Sequence, residues 1–243
     1  MRYLVKISYD GSKFYGFQRQ NDKVTVQNEI EKYLSLYFRK EILIKGAGRT
    51  DRGVHAKGQF FHFDVIDKVS CYKLKRFLNN NINDIRVKSI KEVSDDFHAR
   101  FSTIKKHYEY KISTNKKYYS SEYILWVKEY NLKKMKEASK EFIGVHNFQN
   151  FVSGERDNYD CIIYKIKFVK RFGVLHVHFY GKSFYRYMVR NIIGALLDVG
   201  KGKSDKEYII KLLNSKKTDK MLSTAPAKGL TLVNIYYKMP KKS

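Results

Sequence analysis

The chain has 243 residues, 43% of them hydrophobic, which is enough for a buried core and excludes wholesale disorder. Lys and Arg number 49 against 24 Asp and Glu, a formal charge of +25, and repulsion on that scale calls for a polyanionic partner or a very acidic surface. No run approaches ~18 apolar residues, which excludes a spanning helix, and Cys71 and Cys161 have neither disulfide-framework nor zinc-site spacing.

In chain order, Tyr3, Val5, Ile7 and Tyr9 alternate with Leu4, Lys6 and Ser8, a strand that Asp10-Gly11 ends. This opening reaches Asp10 without an uninterrupted apolar stretch, so a soluble cytoplasmic protein is expected. Val26, Ile30, Tyr33, Leu34 and Tyr37 recur at helical spacing behind Thr25, a natural N-cap. Strands are expected at residues 41–45, 60–65 and 85–93, and a short helix at 72–78. Tyr108, Tyr110 and Ile112 then alternate against Glu109, Lys111 and Ser113 as another strand. Leu132, Met135, Ala138 and Phe142 mark a helix that Gly144 could terminate. Residues 162–169 and 174–180 flank Lys170-Arg171-Phe172-Gly173 as a hairpin, and 187–199 form an apolar helix. Ser204 with Glu207 reads as a capping box before Ile209, and 230–236 as a last strand. Only the Lys-rich C-terminal tip is of low complexity.

Strands and hairpins mixed with helices, without regular βα alternation, predict an α+β fold with largely antiparallel sheets. The division is placed between 104 and 105, giving an N-terminal half of 1–104 and a C-terminal half of 105–243. With no Pro or Gly linker there, the halves are expected to share a packed interface.

The most unusual stretch is Gly46-Ala47-Gly48-Arg49-Thr50-Asp51-Arg52-Gly53-Val54-His55-Ala56. Its glycines allow positive φ and close backbone approach, so the loop can press side chains against a substrate. It lacks the GxxxxGK[ST] and GxGxxG patterns, so neither a nucleoside triphosphate nor a dinucleotide is indicated. Two arginines beside Asp51 favour its ionised form, which suits a nucleophile or a base. They also attract a phosphodiester. The 20 Tyr and 16 Phe among so many basic residues fit a nucleic-acid surface, although core packing consumes rings as well.

Six ordered blocks carry a resemblance to the tRNA pseudouridine synthases of the TruA type, over nearly the whole chain. They are Tyr9 to Gln20, with Phe17 where Trp is usual; Gly48 to His55; Asp95 to Ser102; Gly144 to Phe148; Phe184 to Gly194; and Thr224 to Leu232. The resemblance implies a pseudouridine synthase fold, two α/β halves joined across a central basic cleft. It implies isomerisation of uridine to pseudouridine at positions 38–40 of the tRNA anticodon stem-loop, by a homodimer, with no cofactor and no metal.

Residue by residue, Asp51 matches the carboxylate that starts cleavage of the uridine N-glycosidic bond. Attack on the sugar, attack on the base and removal of a ribose proton are all open to it. One carboxylate suffices because no water enters and the leaving group is recaptured, unlike ordinary glycoside hydrolysis. Tyr108 matches a tyrosine that stacks on the uracil and moves the C5 proton, and Arg190 the arginine that pairs with the carboxylate. Arg49 matches the residue that fills the space of the flipped base, and Leu230 a wall of the uracil pocket. For His55 a hydrogen bond that orders the loop is expected. His176 and His178 share one strand face, which reads better as solvated or RNA-facing than as a metal site. Lys165, Lys167, Lys170 and Arg171 give the hairpin a charge suited to phosphates.

Two stretches depart from the pattern: residues 79–85 lack a proline after the small-residue turn, and 116–127 are Tyr-rich without the usual Arg-containing segment. They put in doubt how the second half meets tRNA. The alternatives are a non-catalytic RNA-binding protein of the same fold, or a paralogous synthase with another RNA target.

Overall fold

A computed structural model describes residues 1–215 and 223–238, so the last five residues of the Lys-rich tip lie outside it. In chain order the elements are β1 (Arg2–Tyr9), α1 (Val26–Phe38), β2 (Lys45–Gly46), β3 (His55–Asp64), α2 (Cys71–Asn81), β4 (Ile85–Val93) and β5 (Thr103–Ser113). There follow β6 (Leu125–Trp126), α3 (Leu132–Ser139), β7 (Gly144–Asn147), β8 (Asp160–Arg171), β9 (Val174–Gly181), α4 (Met188–Gly200), α5 (Lys206–Asn214) and β10 (Leu230–Tyr237). Packing divides them into two units, Met1–Ile104 with the strand from Thr231, and Lys105–Leu230. Each unit is α+β, and its strand pairing is mostly antiparallel.

In the first unit β1 lies between β3 and β4, antiparallel to both, with Val5 opposite Phe61 and Ile90. Alternation sends Val5, Ile7, Phe61 and Phe63 to a buried face, where Ile30 and Leu34 of α1 and Leu74 of α2 are also fully covered. Thr25 caps α1 by accepting the Asn28 amide, and Ser70 caps α2 through the Lys73 amide. The strand expected at 41–45 is not formed. The Ile42 amide donates to the Ser35 hydroxyl and the Ile44 amide to Glu31 Oε1, so only Lys45–Gly46 remain to pair with β3. The last strand also groups here and not with residues 105–230: Thr231 and Leu232 pair in parallel with His55 and Ala56.

His62 of β3 is buried, and its Nδ1 accepts the Ala99 amide. Burial first, then the charge of Arg2, lowers its pKa from 6.5 to about 4. Above pH 6.5 the ring is neutral in both folded and unfolded chains. Below it the unfolded chain takes up a proton that the folded one refuses, so stability is lost as pH falls from 6.5 towards 4. That loss is at most about 3 kcal/mol. Urea midpoints at pH 7 and 4.5 should therefore separate less for His62→Gln than for the parent; equal separations would assign the acid loss to other groups.

In the second unit β5, β9, β8 and β7 pair antiparallel in that order, and β6 adds in parallel to β5. The hairpin turn expected at 170–173 is a two-residue turn, with Phe172 and Gly173 both at positive φ, as its hand requires. Helix α4 is buried almost all round; of its thirteen residues only Arg190 and Asp198 escape full burial. Helix α5 is capped by Asp205, which accepts the Tyr208 amide, and not by Ser204. The helix starts one residue later than expected, so Asp205 closes its first turn and the expected capping box is absent.

Candidate active site

Asp51 lies in the loop between β2 and β3, and bonds on both sides of it fix the backbone. Upstream, the Tyr9 hydroxyl and the Thr50 hydroxyl are 2.8 Å apart in a buried pair, and the Phe17 amide donates to the Thr50 carbonyl at 3.1 Å. Burial pushes the Tyr9 phenol up to about 12, so it keeps its proton and can hold Thr50 throughout the neutral range. Gln59 Nε2 donates to the Gly48 carbonyl. Downstream, the Val54 amide returns to the Asp51 carbonyl at 3.1 Å, closing a turn whose third residue, Gly53, has φ 79°. A side chain there would be strained, which is why glycine stands at that position. Next, His55 Nδ1 accepts the Gly11 amide at 3.1 Å, so this buried histidine orders the loop as expected.

The result is a carboxylate presented from a rigid turn, half-exposed, between the exposed side chains of Arg49 and Arg52. The Arg52 guanidinium lies 4.2 Å from the Tyr15 ring centroid, and Lys23 Nζ 5.0 Å from the same ring. Such cation–π contacts hold long cationic side chains near one surface without neutralising them. Neither Tyr9 nor Phe17 was individually predictable as part of this clamp. Each falls inside the first resembling block, but its partner lies 41 or 33 residues away.

The second unit carries Tyr108, Arg190 and Leu230. Tyr108 is 8% exposed on β5, opposite Phe179, and meets the Phe184 ring edge-on at a centroid distance of 5.3 Å. Arg190 is in the first turn of α4. Its Nε donates to the Ala225 carbonyl at 2.8 Å, and its own carbonyl accepts the Ala225 amide at 3.1 Å. The same strap of chain binds Tyr110, whose hydroxyl donates to the Pro226 carbonyl at 2.7 Å, and Asn191, whose Oδ1 accepts the Thr224 hydroxyl. Burial drives the Tyr110 pKa far above its ordinary value; the Arg190 charge acts in the opposite direction. Leu230, 5% exposed, begins β10.

Phe184 and Tyr187 stand at the two ends of one short segment, so residues 184–187 serve both Tyr108 and Arg190. Sequence reasoning did not single out either residue, nor Ala225.

His176 and His178 are half-buried on β9. His176 Nδ1 is 2.7 Å from Glu109 Oε1, and His178 Nδ1 is 3.0 Å from His107 Nε2. With Lys165 and Lys167 registered against Tyr180 and His178, they form a polar, basic sheet face. Lys165, Lys167, Lys170 and Arg171 are all exposed. Among the described residues no helix is long and apolar enough to cross a membrane.

A sequence profile of the tRNA pseudouridine synthases matches residues 6–102 and 138–238, which include Asp51 and Arg190. A tRNA pseudouridine synthase A of Thermosipho melanesiensis is 38% identical over 243 residues, covering 97% of this chain and 99% of the relative. One from Listeria monocytogenes serotype 4a is 41% identical over 245 residues, with the same coverages. A likeness that spans both units, at this identity and nearly end to end, settles the enzyme class as an isomerase: the chain belongs to the tRNA pseudouridine synthase family.

Proposed function

We propose that this enzyme converts uridine to pseudouridine at positions 38–40 of the tRNA anticodon stem-loop, with Asp51 as its catalytic carboxylate. The observation that carries the reading is the clamped Asp51 turn, in which Tyr9, Phe17 and His55 fix the backbone while the carboxylate stays accessible. In the reaction the N1–C1′ bond breaks, the uracil turns within the site, and a C5–C1′ bond forms. N1 gains a proton and C5 loses one, so atoms balance without a co-substrate. Tyr108 stacks on the uracil and moves the C5 proton, and Arg190 pairs with the carboxylate. Arg49 takes the place of the extruded base, and Leu230 walls the uracil. The active form is a homodimer in the cytoplasm.

The anticodon-arm assignment is tested with unmodified transcripts carrying a single uridine at 38, 39 or 40, followed by mapping of pseudouridine along the whole RNA. Modification confined to these positions is expected; modification elsewhere, with none here, would identify a synthase of another target. Sedimentation of the free protein at twice the 28.9 kDa chain mass is the expected outcome for the dimer.

Affinity should also fall steeply with salt. A formal charge of +25 that engages ~6–10 phosphates predicts a loss of about 10³–10⁵ in affinity between 50 and 200 mM salt. Filter binding across that range checks it, and a flat response would remove the case for backbone tracking.

A further inference from the structure

Three residues beside the Asp51 turn have no part in the chemistry above. The Arg52 guanidinium carbon lies 4.2 Å from the Tyr15 ring centroid, and Lys23 Nζ lies 5.0 Å from the same ring. Arg52 and Lys23 are exposed, and Tyr15 is 39% exposed. Backbone bonds bring the three together from separate stretches. The Tyr15 amide donates to the Val24 carbonyl at 2.9 Å, which sets the ring beside Lys23, and the Val26 amide donates to the Gly16 carbonyl at 3.2 Å. Gly16 in turn packs closely on the catalytic loop. A Cβ there would lie 2.9 Å from the Thr50 carbonyl oxygen and 3.4 Å from the Arg52 amide nitrogen. The ring is therefore carried by a frame tied to the loop that bears Asp51.

Fold stability does not account for this group. A cation–π contact at an exposed site stabilises only weakly, and two cations gathered on one ring repel each other. What the arrangement does is concentrate positive charge next to Asp51. It also aligns Arg52. Contact through the face of a guanidinium uses none of its five N–H donors, which lie in the plane as a fork that suits a phosphate. Lys23 adds a point charge to the same place.

The substrate supplies the anion. Each ribose of an RNA chain is flanked by phosphodiesters, and the Cα atoms of residues 51 and 52 are about 3.8 Å apart. A group on Arg52 therefore serves the nucleotide on which Asp51 acts, or its immediate neighbour, and not remote backbone. The isomerisation needs such a hold, because C1′ must stay in place while the uracil detaches and turns.

We propose that Tyr15, Arg52 and Lys23 form a binding site for a phosphodiester that flanks the target uridine, with the Tyr15 ring aligning both cations. This deepens the reading of Asp51 as the catalytic carboxylate and rests on it. Arg52 and Lys23 touch the substrate backbone and not the reacting atoms, and Tyr15 is a positioning residue.

The test uses the full-length enzyme and synthetic stem-loop RNA carrying the uridine that mapping shows to be modified. The phosphodiesters on either side of it are replaced, one at a time, by neutral methylphosphonates. For the parent enzyme one of these replacements should lower kcat/KM about tenfold, the scale of one charge-assisted contact. In the double variant Arg52→Ala with Lys23→Ala, kcat/KM on unsubstituted RNA should fall about tenfold, and the same replacement should cost no more than about twofold further. Tyr15→Leu, which keeps the backbone bonds but not the ring, should lose about fivefold, and Tyr15→Phe should stay within about twofold of the parent. A second readout needs no turnover. The slope of log Kd for tRNA against log salt concentration should fall by about 1 in the double variant, because both cations address one phosphate. Thermal midpoints should hold, since both cations are exposed; Arg52→Gln with Lys23→Gln keeps the side-chain bulk and replaces the alanine pair if its midpoint drops.

A parent enzyme indifferent to both neutral linkages would overturn the proposal. So would a double variant that keeps the full tenfold penalty, an unchanged salt slope, or parent kinetics in Tyr15→Leu. Failure of the Asp51 reading looks different: Asp51→Ala then turns over at the parent rate, while the neutral-linkage and salt-slope results stand.

Discussion

Asp51→Ala lowers the rate of pseudouridine formation by about 10⁴-fold or more, the scale of deleting a nucleophile or base, while tRNA affinity stays within about twofold. Both halves of this expectation follow from the loop. The bonds that shape it run to the Thr50 hydroxyl and carbonyl, the Asp51 carbonyl and the His55 ring. None of these uses the Asp51 side chain, so the alanine variant keeps the turn and presents Arg49 and Arg52 as before. Binding is carried by many phosphate contacts, to which a single carboxylate contributes little. Filter binding and single-turnover assays on one preparation check the pair of numbers. Parallel loss of both would mean that Asp51 builds the RNA-binding surface and does not act on the uridine.

Gly194→Ala should destabilise the enzyme by about 3 kcal/mol, at the upper end of the usual cost of overpacking a core. Helix propensity alone predicts the opposite sign, because alanine is preferred to glycine in a helix interior by about 1 kcal/mol. Packing decides against propensity here. A Cβ on Gly194 would lie 1.5 Å from the Ser223 carbonyl oxygen and 2.6 Å from its carbon, so backbone must move. The chain that moves is the strap holding Arg190 through both polar groups of Ala225, Asn191 through Thr224, and Tyr110 through Pro226. Turnover should therefore fall along with stability. For a chain of this size the thermal midpoint should drop by roughly 6–12 °C. An unchanged midpoint would show that the strap can retreat without cost.

The parts of the fold legible in the sequence were those with strong local periodicity. β1, α1 behind its Thr25 cap, the hairpin at Phe172-Gly173 and the apolar helix α4 each follow from residues within a few positions of one another. The failures share a different cause. Residues 41–44 have strand-like composition, yet Glu31 and Ser35 of the preceding helix capture their amides. β6 and β7 have two and four residues, too few to show alternation. The parallel pairing of Thr231 with His55 joins residues far apart in sequence, and no local pattern announces it.

The candidate site divides in the same way. The Gly48–His55 loop stands out by composition; Asp51, Arg49, Arg190 and Leu230 came from ordered blocks, and Tyr108 from its place in the resemblance between two of them. The residues that support them did not. Tyr9 holds Thr50, Phe184 meets Tyr108, and Ala225 fixes Arg190 across separations that only the fold closes.

The measurement that bears most directly on the central claim is tritium release from C5-labelled uridine in an unmodified tRNA transcript, run in parallel with wild type and Asp51→Ala. Wild type should release tritium in step with pseudouridine formed, and Asp51→Ala none above background. Release by the folded Asp51→Ala variant at the wild-type rate would contradict the assignment of the chemistry to this carboxylate.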